Sequence, residues 1–223
     1  MRNLYLLLCS IFVVATSCTP TPEERAEKLV SGCIKDYLTY PDSYESISTK
    51  VDSTKVNVSK ITEILEITQE VASIDSKIKS TEYKIEFVQI DMDVYEPNSY
   101  FYSESDRRKY NKAKAEYEEY QLEIEQLNQK LHDKILDLKE LTNTLHDDEV
   151  NGWFVTHRYR SKGDNGEQLP PQEMVFFCDM EFNSGQGWSS QRYEIISKII
   201  KYISESETDK ELLEKFNDNN NFL

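Results

Sequence analysis

The chain has 223 residues, and its 41 acidic side chains outnumber 26 basic ones to give a formal charge of −15. That balance argues against a nucleic-acid partner, which needs a basic patch, and against electrostatic docking onto an anionic membrane surface. Only six glycines and three histidines are present, which leaves little material for a phosphate-cradling loop or a two-histidine metal helix.

In chain order, Met1-Arg2-Asn3 is followed by an apolar stretch from Leu4 to Ala15. This run has signal-peptide length and falls short of the ~20 residues that span a bilayer. The small residues Ala15-Thr16-Ser17 then precede Cys18, and this junction resembles the lipobox of bacterial lipoproteins. The resemblance implies that residues 1–17 are a signal peptide and that Cys18 carries the acyl chains. It places the protein in the cell envelope, membrane-anchored and periplasmic or surface-facing. Several chains at ~0.8 kcal/mol per buried methylene anchor stably. An ordinary cleaved signal with an incidental cysteine is the other reading. Cleavage and acylation use up Cys9 and Cys18 and leave Cys33 and Cys178. In an oxidising compartment these two either form a disulfide or remain two buried thiols, and sequence does not supply the Cα separation that decides.

Thr21-Pro22-Glu23-Glu24 has the form of a helix start, with Thr as cap, Pro at the first position and Glu24 closing a capping box. Ala26, Leu29, Val30, Cys33, Ile34, Tyr37 and Leu38 follow helical spacing until Pro41 ends the run. Tyr44 to Val56 is rich in Ser, Thr, Ile and Val and has the composition of a strand. Residues 18–58 thus supply a helix and strand, and the short tether holds the folded domain close to the membrane.

Residues 59–148 carry the clearest periodicity. Ile64, Val71, Ile78, Ile85 and Met92 recur every seven residues, interleaved with Ile67, Ile74, Thr81, Val88 and Tyr95. A second seam has Tyr110, Tyr117, Ile124, Leu131, Leu138 and Leu145, interleaved with Ala113, Tyr120, Leu127, Lys134 and Leu141. Glu96-Pro97-Asn98-Ser99 breaks the chain between them. The pattern predicts a coiled-coil antiparallel hairpin with arms roughly 50 to 65 Å long. The short loop favours closure within one chain; dimerisation through the seams is the competing arrangement.

Residues 149–223 are expected to complete the α+β domain. Trp153 to Arg160 alternates, Gly163-Asp164-Asn165-Gly166 turns, and Met174 to Phe182 alternates again. Ser190 can cap a helix carrying Ile195, Ile196, Ile199, Ile200 and Ile203, and Thr208 with Glu211 has capping-box spacing for one more. The expected fold class is α+β: a small three-stranded antiparallel sheet covered by the first and last helices, with the helical hairpin inserted.

Leu38-Thr39-Tyr40-Pro41-Asp42-Ser43-Tyr44 and His157-Arg158-Tyr159-Arg160-Ser161-Lys162 resemble two motifs of small exported bacterial lipoproteins. Those motifs are a "Leu-x-Asp-Pro-x-Ser-Tyr/Phe" passage from helix to strand and a later "His-x-Tyr-Arg-Ala-Lys-Asn…Gly" strand and turn. This sequence departs from the pattern at Tyr40 and Gly163. The resemblance covers about a third of the chain, implies the α+β fold and the envelope compartment, and brings no activity with it.

No cofactor or metal is implied. His146-Asp147-Asp148-Glu149 is a solvated helix end before it is a cation site, and Asp91-Met92-Asp93 with Glu96 lacks the glycine and third acid of a calcium loop. No nucleophile elbow is present, so the chain is read as non-enzymatic. Two surfaces suggest contact. Tyr95, Tyr100, Phe101 and Tyr102 crowd the hairpin tip, where rings either close the coil or meet a protein partner. His157, Tyr159 and Arg160 lie on one strand, where His157 is either a satisfied core residue or part of a small-ligand pocket, the hairpin then acting as a spacer.

Overall fold

The computed structural model describes residues 20–97 and 103–218. Among these are five α-helices and one four-stranded antiparallel sheet. They fall into two compact units. Of the described residues, one unit comprises those up to Val56 with Asp148–Ser190; the other comprises those from Asn57 to Asp147 and from Gln191 to Asp218. Cys18, Tyr100, Phe101 and Tyr102 lie outside the described residues.

The first unit begins with helix α1 (Pro22–Tyr37). Its capping box closes as the spacing predicts: the Glu24 amide donates to Thr21 Oγ1 at 3.2 Å and the Thr21 amide to Glu24 Oε2 at 2.9 Å. Both groups would otherwise be orphan donors at the helix end. One face buries Ala26, Val30 and Ile34, and a short 3-10 turn at Pro41–Ser43 leads into the sheet.

Strands β1 (Glu45–Thr54), β2 (Gly152–Arg160), β3 (Gln172–Cys178) and β4 (Gly185–Ser189) lie side by side in that order, each antiparallel to its neighbour. The register aligns Val51, Val155, Phe176 and Gly187 across the sheet, and Thr49, His157, Met174 and Ser189 two residues along. The α1-facing core joins Ala26, Val30 and Ile34 to Val155, Tyr159, Phe176 and Cys178. Each fully buried aliphatic side chain here contributes roughly 1.5–3 kcal/mol relative to exposure. The opposite face carries Phe154, Phe177 and Trp188 in edge-to-face contact.

Two expectations are corrected here. The sheet has four strands rather than three, because Gly185–Ser189 adds an edge strand. Strand β3 also stops at Cys178 instead of running to Phe182. The Asp179 carboxylate accepts the amides of Glu181, Asn183 and Ser184 and folds the chain back, with Phe182 at φ 57 in the turn. Those three amides, with the Ser184 hydroxyl, hold the Asp179 carboxyl below its ordinary range.

The second unit is helical. Helices α2 (Val58–Val94) and α3 (Glu104–Asn143), of 37 and 40 residues, pack against each other. Cross-contacts fix an antiparallel register: Lys60 Nζ donates to the Thr144 carbonyl, Lys134 pairs with Glu70 at 2.8 Å, Lys84 lies over the Tyr120 ring, and Lys109 lies over that of Tyr95. Each step up one helix is matched by an equal step down the other. Ile64, Val71, Ile74, Ile78, Thr81 and Val88 are buried on α2, and Ala113, Leu131 and Leu138 on α3, as the heptads require. Ile135, outside the expected seam, is fully buried, while Lys134, inside it, is paired at the surface.

The last helices, α4 (Ser190–Glu205) and α5 (Asp209–Asp218), group with this hairpin. They do not complete the sheet domain as expected. His132 on α3 hydrogen-bonds Asp209 at 2.6 Å, and Leu213 and Phe216 line a cleft with Ala72, Ser76 and Lys79 of α2. Amphipathic spacing correctly marked the buried face, Ile196, Ile199 and Ile203, but periodicity says only which face is buried and not against what.

Candidate functional site

Of the sheet residues singled out in the sequence, His157 and Tyr159 lie together in the core and Arg160 stands apart from them at the surface. His157 is fully buried. Its Nε2 lies 2.6 Å from the Tyr44 hydroxyl and its Nδ1 2.9 Å from Thr49 Oγ1. A neutral ring satisfies both contacts in either tautomer, donating from one nitrogen and accepting at the other. The ring stacks with Tyr44 and Tyr159 at 6.1 Å between centroids. Burial pushes its pKa below the ordinary value of 6.5. Tyr159 is also buried and donates to Gln172 at 2.7 Å, whereas Arg160 is exposed. The imidazole and phenol thus have their polar atoms engaged inside the core, and the three side chains do not converge on a common opening.

Cys33 and Cys178 both belong to the core between α1 and the sheet, and both are free thiols. Burial, with smaller contributions from Asp179 and Cys33, pushes the Cys178 thiol up to about 12. A thiol held that far from its thiolate is a packing group and not a nucleophile. Among the described residues, no three His, Cys, Asp or Glu side chains gather in a way that would hold a metal ion, and no helix is long and apolar enough to cross a membrane.

On the hairpin, Tyr95 is half-buried at the end of α2, its ring under Lys109 Nζ at 4.6 Å. It helps close the two-helix stack. The conspicuous surface lies beside it, on the face of α2 turned away from α3. Tyr83, Phe87, Ile90 and Val94 are 61%, 53%, 57% and 67% exposed. Their spacings of four, three and four residues place them on one stripe. Tyr83 and Phe87 meet edge to face at 4.7 Å. No family model, curated protein or solved structure matches this chain.

The stripe's flanks are acidic. Glu86, Asp91 and Asp93 are exposed, and none makes an ion pair among the described residues. The nearby lysines are engaged: Lys84 lies 5.4 Å from the Tyr120 centroid, and Lys79 pairs with Asp75 at 2.6 Å. The stripe is not among the contact surfaces expected from the sequence. The signal was present in the same seven-residue repeat, with Tyr83 and Ile90 seven apart and Phe87 and Val94 seven apart. The stronger core seam hid it.

Proposed function

We propose that this chain is a lipoprotein of the bacterial envelope, acylated at Cys18, that acts by binding or scaffolding and presents its α2–α3 hairpin to a protein partner. The lipobox resemblance supports the anchor, and the two motifs shared with small exported lipoproteins support the compartment. The hairpin acts as a stiff coiled-coil rod whose partner contacts lie on its flank and tip.

The single observation that carries the binding role is the solvent-facing stripe of Tyr83, Phe87, Ile90 and Val94. Isolated exposed apolar residues are ordinary, but four large ones gathered on one helix face are the kind of surface that proteins keep for contact. Two aromatic rings within it are the residue type favoured in binding hot spots. The alternative, a small-ligand site at His157, Tyr159 and Arg160, gains no such support, since the imidazole is enclosed and doubly bonded.

A photo-crosslinking amino acid at position 87, in cells making the full-length protein, tests this. The expected result is a discrete protein adduct that disappears when Ile90 and Val94 are changed to serine. Absence of any adduct overturns the binding role. Cys18→Ser should abolish incorporation of labelled palmitate; retained label would refute the anchor.

A further inference from the structure

The outer stripe of α2 has the grammar of a second coiled-coil seam. Spacings of four, three and four residues repeat every seven, so Phe87 and Val94 occupy a positions and Tyr83 and Ile90 occupy d positions of a two-heptad register. The first seam, carrying Thr81 and Val88, is already filled by α3; the second stands open over about 16 Å of helix. Apolar a and d positions are complementary to the same pattern on another helix, which seats its own knobs between them. In this register the e and g positions are Lys84, Glu86, Asp91 and Asp93. The three acids are exposed without an ion pair among the described residues, and the one lysine is turned onto Tyr120.

We infer that the occupant of this seam is a basic amphipathic helix of another protein, apolar along one stripe and carrying Lys or Arg at the flanking positions. This rests on the reading of the hairpin as a partner-presenting element and adds the partner's chemistry. The e and g charges of a coiled coil select its partner. A second copy of this chain would set Glu86 against Asp91 in a parallel pair and against Asp93 in an antiparallel one, which works against self-pairing. An anionic lipid surface meets the same repulsion.

The probes are two synthetic helical peptides of about three heptads, with identical Leu and Ile at a and d and either Lys or Glu at every e and g. Each is titrated against the full-length protein in nanodiscs of zwitterionic lipid. The Lys peptide is expected to bind at least about tenfold more tightly, and to weaken as salt rises. Phe87→Ser with Ile90→Ser should abolish binding while helical circular dichroism is retained. Glu86→Lys, Asp91→Lys and Asp93→Lys together should reverse the preference, a readout that loss of folding cannot produce. Equal binding of both peptides, or of neither, overturns the inference. So does a position-87 crosslink to a second copy, to lipid, or to residues 219–223 of the same chain. An adduct to an acidic or non-helical segment of another protein overturns this inference alone and leaves the binding role standing. The absence of any protein adduct removes both.

Discussion

Phe87 and Ile135 are both large apolar residues on the hairpin, and the structure assigns them opposite consequences on truncation. Ile135 is fully buried, so Ile135→Ala removes the packing of three carbons and leaves a cavity, at a cost of about 2–5 kcal/mol. Phe87 is 53% exposed on the face turned from α3, and its ring contact is the edge-to-face meeting with Tyr83. Phe87→Ala loses that contact, worth about 0.5–1.5 kcal/mol when fully formed, and regains up to ~0.7 kcal/mol from the higher helix propensity of alanine. The two nearly cancel, so the net change is expected within about ±0.5 kcal/mol, as for an ordinary surface substitution. Urea unfolding followed by circular dichroism at 222 nm measures both variants against the parent. A Phe87→Ala cost equal to that of Ile135→Ala would show that the stripe is core and would remove the open seam on which the functional argument stands.

Three further expectations follow from the sheet unit. The pKa of His157 is depressed in the folded state, so between pH 6.5 and that lower value the unfolded chain takes up a proton that the native one refuses. Stability should therefore fall as pH drops through this window, by up to ~1.4 kcal/mol per pH unit; unfolding of His157→Gln at pH 7.5 and 5.5 should lack that contribution, and an unchanged slope would contradict the assignment. With reductant present, iodoacetamide should modify half-buried Cys33 well before Cys178, whose thiol is pushed up to about 12; equal rates on peptide mapping would refute this. Gly187 lies against the Phe176 ring with no room for a Cβ, so Gly187→Ala should cost about 1–3 kcal/mol in thermal or urea unfolding through overpacking. A neutral result would mean that β4 is not seated as described.

Much of the local structure was legible because it is written in short-range chemistry. Thr21 and Glu24 close their capping box, and six of the eight seam positions from Ile64 to Val88 are buried, Ile67 and Ile85 being half-buried. The fourth strand was illegible for a physical reason. Gly185-Gln186-Gly187-Trp188-Ser189 has no β-branched residue, and its glycines are placed by the Phe176 ring and Cys178 across the pair. That is a tertiary requirement with no local signature. The destination of α4 and α5 was illegible because an amphipathic stripe of isoleucines specifies a buried face without naming the neighbour. At the candidate site, Tyr95 was visible, but it serves the end of the hairpin through Lys109. The α2 stripe was missed because one helix carries two seams, and the one with more Ile and Val claimed the periodicity.

The most direct measurement is a photo-crosslinking scan along α2, one position at a time from Lys79 to Val94, in cells making the full-length protein. Intermolecular adducts are expected to peak at Tyr83, Phe87, Ile90 and Val94, with intervening minima at Ile85, Val88 and Met92, where crosslinks stay within the chain. Adducts spread evenly along the helix, or confined to the seam shared with α3, would contradict this expectation.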